Sequence, residues 1–248
     1  MSELPRALGA LVEPPDEHAA RLAELLELPA VPQGWEYSAV FLEQLYPYAS
    51  VYLDASGMMG GAARELIAGF WRVLGETPGP EPDHLGALLG AYAALADAEG
   101  AEAPGARRDA LTAAREALLW DHLSSWLPVW LAKLEVIAPP SYRAWGRLLG
   151  QWLRDEQSRL PARDELPAHF APVEALEEPD EDADAFIGQL LAPARTGFII
   201  TSSDLARLAD DASLVLRAGE RRYSLRHLFG QDAAATLRGL AQLAVVPT

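Results

Sequence analysis

The chain of 248 residues contains no cysteine, which excludes disulfides, thiolate metal sites, iron–sulfur ligation and cysteine nucleophiles. It also lacks any run near the roughly 18–20 uninterrupted apolar residues that a membrane-spanning helix needs. The opening "MSELPRALGALVEPPDEHAARL" meets charge before any long apolar stretch, so it does not read as a secretory signal, and the expected location is cytoplasmic. Familiar catalytic signatures are missing too. There is no HExxH, no phosphate-binding glycine loop and no dinucleotide fingerprint, and "GMMGG" lacks the Lys and Ser/Thr that would hold phosphate and magnesium. No GxSxG marks a hydrolase elbow. Positive charge is scarce: 20 Lys and Arg face 36 Asp and Glu, a formal net charge of −16. Such a chain repels nucleic acid and anionic membrane and attracts cationic partners.

Half of the residues are apolar, enough to bury a sizeable core. Ala, Leu, Glu and Arg dominate and short β-rich runs are scarce, which favours helix. Apolar stripes at helical spacing run through Leu22, Leu25 and Leu26, and through Leu66, Ile67, Phe70, Trp71 and Leu74. Two more comprise Leu85, Leu88, Leu89, Tyr92 and Leu95, and Trp145, Leu148, Leu149, Trp152 and Leu153. Pro29, Pro32 and Gly34 end the first helix, "GETPGPEPD" separates the third from the fourth, and "EGAEAPG" ends the fourth. Pro128 interrupts a long helical run, which predicts two helices or a kink near Ser124–Leu127. Thr201 and Asp204 form a capping box. "TGFIIT" and "SLVLRAG" have strand character, but two isolated strands would be marginal. The expected fold is all-α: a single helical domain over residues 1–248 with about nine to eleven helices, a hinge near 124–139 and an acidic flexible connector at 160–184. Within that connector "EALEEPDEDAD" carries seven acids and no base.

Chemistry-bearing residues are few. Five histidines stand at 18, 84, 122, 169 and 227, without a metal-ligand spacing such as His-x-x-x-His. The sequence "TPGPEPDHLGALLGAYAAL" hands Asp83 and His84 from a stiff Pro/Gly loop to an apolar helix. Asp83 stands where an N-cap belongs, just before Leu85, and its carboxylate suits the positive end of the helix dipole. The same carboxylate is also placed to pair with a cationic ligand, and the sequence leaves both roles open. Glu81 is the acid nearest His84, with Pro82 limiting movement between them. In "LLWDHLSSWLPVW", Trp120, Leu123, Leu127 and Trp130 share one side, while His122 and Trp126 are neighbours on another. An indole and an imidazole beside a proline break suit either a core helix or the rim of an apolar groove.

Glu81-Pro82-Asp83-His84, after "FWRVLG" and before "LGALLGAYAAL", resembles the signature of the TorD/DmsD family of redox-enzyme maturation chaperones. "FLEQLYPYASVYL" is similar to that family's Tyr-rich second helix, "HLSSWLPVW" to its His…Trp-Pro segment, and "LLAPARTGFIITSSDLARLA" to its C-terminal part. The likeness runs over roughly residues 35–243, and the acidic stretch near 174–184 departs from the pattern. The resemblance implies a TorD-like helical fold with no catalysis, no cofactor and no metal. It further implies a cytoplasmic chaperone that binds the apo form of a molybdopterin oxidoreductase and its twin-arginine signal peptide during cofactor insertion, before export. Clients of the dimethyl sulfoxide or trimethylamine N-oxide reductase type, or of the formate dehydrogenase type, are expected. Carried over by residue, Glu81, Pro82, Asp83 and His84 form the recognition loop, with Tyr92, His122 and Trp126 as further peptide-binding candidates. A monomer and a domain-swapped dimer both fit. The physics agrees: carboxylates bind guanidinium groups through forked hydrogen bonds, and an aromatic-lined groove takes an apolar helix. Two other readings compete. One is a helical assembly module for a respiratory complex without signal-peptide binding. The other is an enzyme using Asp83, His84 and His122 in acid–base or metal chemistry.

Overall fold

The computed structural model describes residues 2–54, 57–160, 183–217 and 219–244. Among these it is all helical, and the one β feature is an isolated antiparallel bridge between Tyr48 and His84. The expected connector falls almost wholly outside the described residues. "TGFIIT" and "SLVLRAG" form no strand among the described residues. The contacts fall into two compact units, Met1–Ala171 and Pro172–Thr248.

The first unit contains α1 (Glu3–Ala10), α2 (Ala19–Leu25), α3 (Gly34–Tyr37), α4 (Ser50–Leu53), α5 (Gly61–Val73), α6 (Leu85–Ala101), α7 (Ala106–Ala117), α8 (Leu127–Ile137) and α9 (Pro140–Arg159). Two π-helical turns, Ser38–Leu42 and Leu118–Leu123, continue α3 and α7. The second unit contains α10 (Ala183–Leu190), α11 (Pro193–Thr196), α12 (Ser202–Asp211), α13 (Arg221–Gln231) and α14 (Ala233–Ala244). These fourteen helices exceed the expected nine to eleven because α3, α4 and α11 are single turns of four residues.

Helix α6 carries the stripe read from the sequence, and Leu85, Leu88, Leu89, Tyr92 and Leu95 are all buried. Its first turn crosses α1 closely. A Cβ on Gly86 would stand 3.0 Å from the Gly9 carbonyl, so only glycine lets the two backbones approach this far. The break foreseen at Ser124–Leu127 is present: the π turn unwinds into residues 124–126, and α8 restarts with Pro128 in its first turn. Proline costs nothing there, because the first-turn N–H has no intrahelical acceptor. The aromatic centre of this unit packs Phe41 on Trp130 and Tyr142, with centroids 5.8 and 4.7 Å apart, and Trp145 on Trp130 at 6.0 Å. Both tryptophans of this centre have an acceptor for the indole N–H: Trp145 donates to the Leu8 carbonyl at 3.1 Å and Trp130 to that of Tyr46 at 3.2 Å.

The second unit has its own core of Ile187, Leu190, Ile200, Leu205, Leu225 and Leu228. Helix α12 opens on the expected capping box, with Thr201 and Asp204 satisfying each other's backbone N–H.

Candidate functional site

The loop Glu81–His84 is pinned from three sides. The residue that caps α6 is His84, a correction to the expectation that Asp83 would: His84 is extended and its Nδ1 accepts from the Gly86 N–H at 3.2 Å. Asp83 instead caps a different helix. Its carboxylate accepts the Ser50 N–H at 3.2 Å, a first-turn donor of α4 that no helical carbonyl can reach. The Asp83 carbonyl accepts from Ala49 at 3.0 Å, and Leu85 donates to the Pro47 carbonyl at 2.8 Å, so residues 47–50 and 83–85 are laced together around the Tyr48–His84 bridge. From α5, Trp71 donates its indole N–H to the Pro82 carbonyl at 3.1 Å and Arg64 donates to that of Pro80 at 3.0 Å. Asp83 and His84 are consequently 2% and 4% exposed, whereas Glu81 faces solvent.

Two carboxylates mark this loop, Glu81 at its start and Glu13 beside it. Glu13, between α1 and α2, places Oε1 3.0 Å from His84 Nδ1, so it and the Gly86 N–H compete for one ring nitrogen. The Tyr48 ring meets the His84 ring edge to face at 4.9 Å. Burial pushes the Tyr48 phenol well above the usual tyrosine range, and its hydrogen bond to Glu81 and the Glu13 charge add to this. Tyr37 is raised in the same direction, first by burial and then by Glu13 and Glu81. Glu13 and Glu81 thus act together on one pair of tyrosines.

Of the other candidates, His122 and Trp126 connect to this site through α4 and α5. Trp126 stacks on Tyr52 of α4, with planes 3° apart at 5.4 Å, and donates its N–H to the His122 carbonyl at 2.8 Å. The His122 ring lies 4.9 Å from Phe70, the residue beside Trp71. Both are buried, so they support the site from behind. Tyr92 is not brought to the loop. Two turns farther along α6, its hydroxyl donates to Glu156 at 2.6 Å and accepts from Arg115 at 3.2 Å. Arg115 also binds Glu99 at 2.8 Å, which ties α6, α7 and α9 together beside a separate cavity of about 280 Å³.

Glu13 went unrecognised in the sequence because nothing local announces it: 71 positions separate it from His84 and only the α1–α6 crossing joins them. Tyr48 was visible within the Tyr-rich segment and Glu81 within the motif, but their pairing was not. Among the described residues no group of three His, Asp or Glu is placed to hold a metal ion, and no helix is long and apolar enough to cross a membrane.

No curated protein matches the chain. The family model for the nitrate reductase delta subunit matches residues 8–132, half of the chain and the part that carries every candidate residue from Glu13 to Trp126. The chain therefore belongs to the nitrate reductase delta subunit family, the NarJ/TorD-like chaperones that serve the maturation of molybdoenzymes rather than catalysing a reaction.

Proposed function

We propose that this protein is a cytoplasmic chaperone that binds the twin-arginine signal peptide and the apo catalytic subunit of a molybdopterin oxidoreductase, and holds them until the cofactor is inserted. The observation that carries the reading is the pair Glu13 and Glu81, one beside and one at the start of a loop too firmly fixed to need ordering when a ligand arrives. Two carboxylates beside tyrosine rings suit two guanidinium groups, through forked hydrogen bonds and ring stacking. A preformed acceptor loses less freedom on binding than a mobile one. The net charge of −16 steers such a cation toward the molecule. The apolar part of a signal has a neighbouring surface: Met58 and Met59 are exposed in the turn before α5, and the Gly60 N–H of that turn donates to Ser50 Oγ, next to the Asp83 contact. Flexible methionines adapt to varied apolar ligands.

Titration calorimetry with a synthetic twin-arginine signal peptide and a twin-lysine control tests this. The expected result is micromolar binding of the arginine peptide that weakens with salt, and a loss of about tenfold for Glu13→Gln or Glu81→Gln at unchanged melting temperature. Equal affinity for both peptides, or full affinity in the double Gln variant, would remove the basis for the reading.

A further inference from the structure

A second surface of opposite character lies on α8 and α9. Arg143, Arg147, Gly150 and Arg154 recur at i, i+4, i+7 and i+11, so they fall within a narrow stripe on one face of α9. Pro128, Leu131, Ala132 and Glu135 recur at i, i+3, i+4 and i+7 on α8. The two stripes are the walls of an open trough of about 410 Å³. Gly146 and Gly150 keep its floor low: a Cβ on Gly146 would stand 2.6 Å from the Leu134 side chain, and one on Gly150 3.5 Å from Leu131. From Arg143 to Gln157 the trough runs about 21 Å, the length of four helical turns.

Its charges are the reverse of the molecule's. Three arginines line it against the single acid Glu135, in a chain where acids outnumber bases 36 to 20. Among the described residues only Arg147 is neutralised, by a two-point contact with Glu135 whose Nε–Oε2 separation is 3.0 Å. Arg143 spends Nη2 on the Ala138 carbonyl at 3.0 Å, while its Nε is buried with no acceptor among the described residues. Arg154 has no ion pair among the described residues, and its Nη1 lies over the floor, 3.4 Å from where a Gly150 Cβ would be.

We infer that this trough is a second docking surface, for a partner helix whose apolar ridge is flanked by carboxylates. The apolar ridge fills the space above Gly146 and Gly150, and its flanking carboxylates meet Arg143 and Arg154. A twin-arginine segment is repelled here, so the two surfaces sort their ligands by sign. The trough is concave along a helix-length axis, which suits a helix better than a flat bilayer.

The probe is a fluorescent synthetic peptide of about 18 residues, long enough for five helical turns, with leucine at i, i+3, i+4 and i+7 and glutamate on both flanks. The control carries glutamine in place of every glutamate. Fluorescence anisotropy is expected to show the glutamate peptide binding about tenfold or more tightly than the control, with the preference fading at high salt. Arg154→Glu, on the exposed side of α9, is expected to erase that preference at unchanged melting temperature, and Gly150→Met to fill the trough and weaken both peptides. Glu81→Gln is expected to leave this binding untouched, which separates it from the signal-peptide site. Equal binding of the two peptides, full binding by Arg154→Glu, or capture of anionic vesicles in place of the peptide would overturn the inference.

Discussion

At the scale of single residues, the acidic member of the Asp-His pair is a structural fastener. Asp83 is buried, and the Ser50 N–H has no other acceptor of comparable geometry within its own short helix. Asp83→Ala leaves that donor dry and is expected to cost about 1–3 kcal/mol, whereas Asp83→Asn retains an oxygen acceptor and is expected to cost less. Denaturant unfolding of the two variants checks the order. If Asp83→Ala unfolds no more easily than Asp83→Asn, the fastening role is wrong. A loss of peptide affinity in Asp83→Ala is therefore read only alongside its stability, and Glu13 and Glu81 are the cleaner probes of recognition. The motif itself was legible because its four residues are contiguous. The division of labour within it was not, because the Ser50 and Gly86 N–H groups that decide which side chain caps which helix are set by tertiary placement.

At the scale of elements, α6 offers a matched pair of glycines. Gly86 faces the α1 backbone, and a Cβ there would also come within 2.8 Å of Glu13 and 3.1 Å of His84 Nδ1. Gly90, one turn on, has nothing within 4 Å of such a Cβ. Gly86→Ala is expected to destabilise by about 1–3 kcal/mol through overpacking. Gly90→Ala is expected to stabilise by about 0.5–1 kcal/mol, since alanine loses less freedom in a helix. Thermal unfolding of both variants measures the contrast, and a stabilising Gly86→Ala would refute the close crossing. Helices α6 and α9 were legible in the sequence because their stripes are long and their ends carry proline and glycine. Helix α2 was misjudged at its apolar end: Leu25 was read as part of a core stripe but is exposed, and the helix buries Ala19 and Ala23 instead. Seven residues give too short a record of period for the apolar side to be assigned. Helix α1 passed unnoticed, because Leu8 and Leu11 are buried by distant partners rather than by a visible repeat.

At the scale of the whole molecule, the tyrosines set an upper pH limit. Burial raises the phenols of Tyr48, Tyr92 and Tyr142, with further contributions from Glu81 at the first, Glu156 at the second and Tyr37 and Glu36 at the third. The folded chain thus holds these protons at pH values where the unfolded chain releases them. Stability is full below the ordinary tyrosine pKa of about 10 and falls as pH rises beyond it. Circular dichroism melts between neutral and strongly alkaline pH are expected to show that decline, made shallower by Tyr142→Phe. A flat profile across this range would contradict the burial of all three. The lacing of the Glu81–His84 loop bears on synthesis as well. Every partner described for it, from Glu13 through Pro47, Ser50, Arg64 and Trp71 to Gly86, lies at or before position 86 of the 248. As the polypeptide is made from its N-terminus, all the strings of this knot have been synthesised before α7 is translated, so the loop can be tied early in the protein's own birth, without waiting for the rest of the chain.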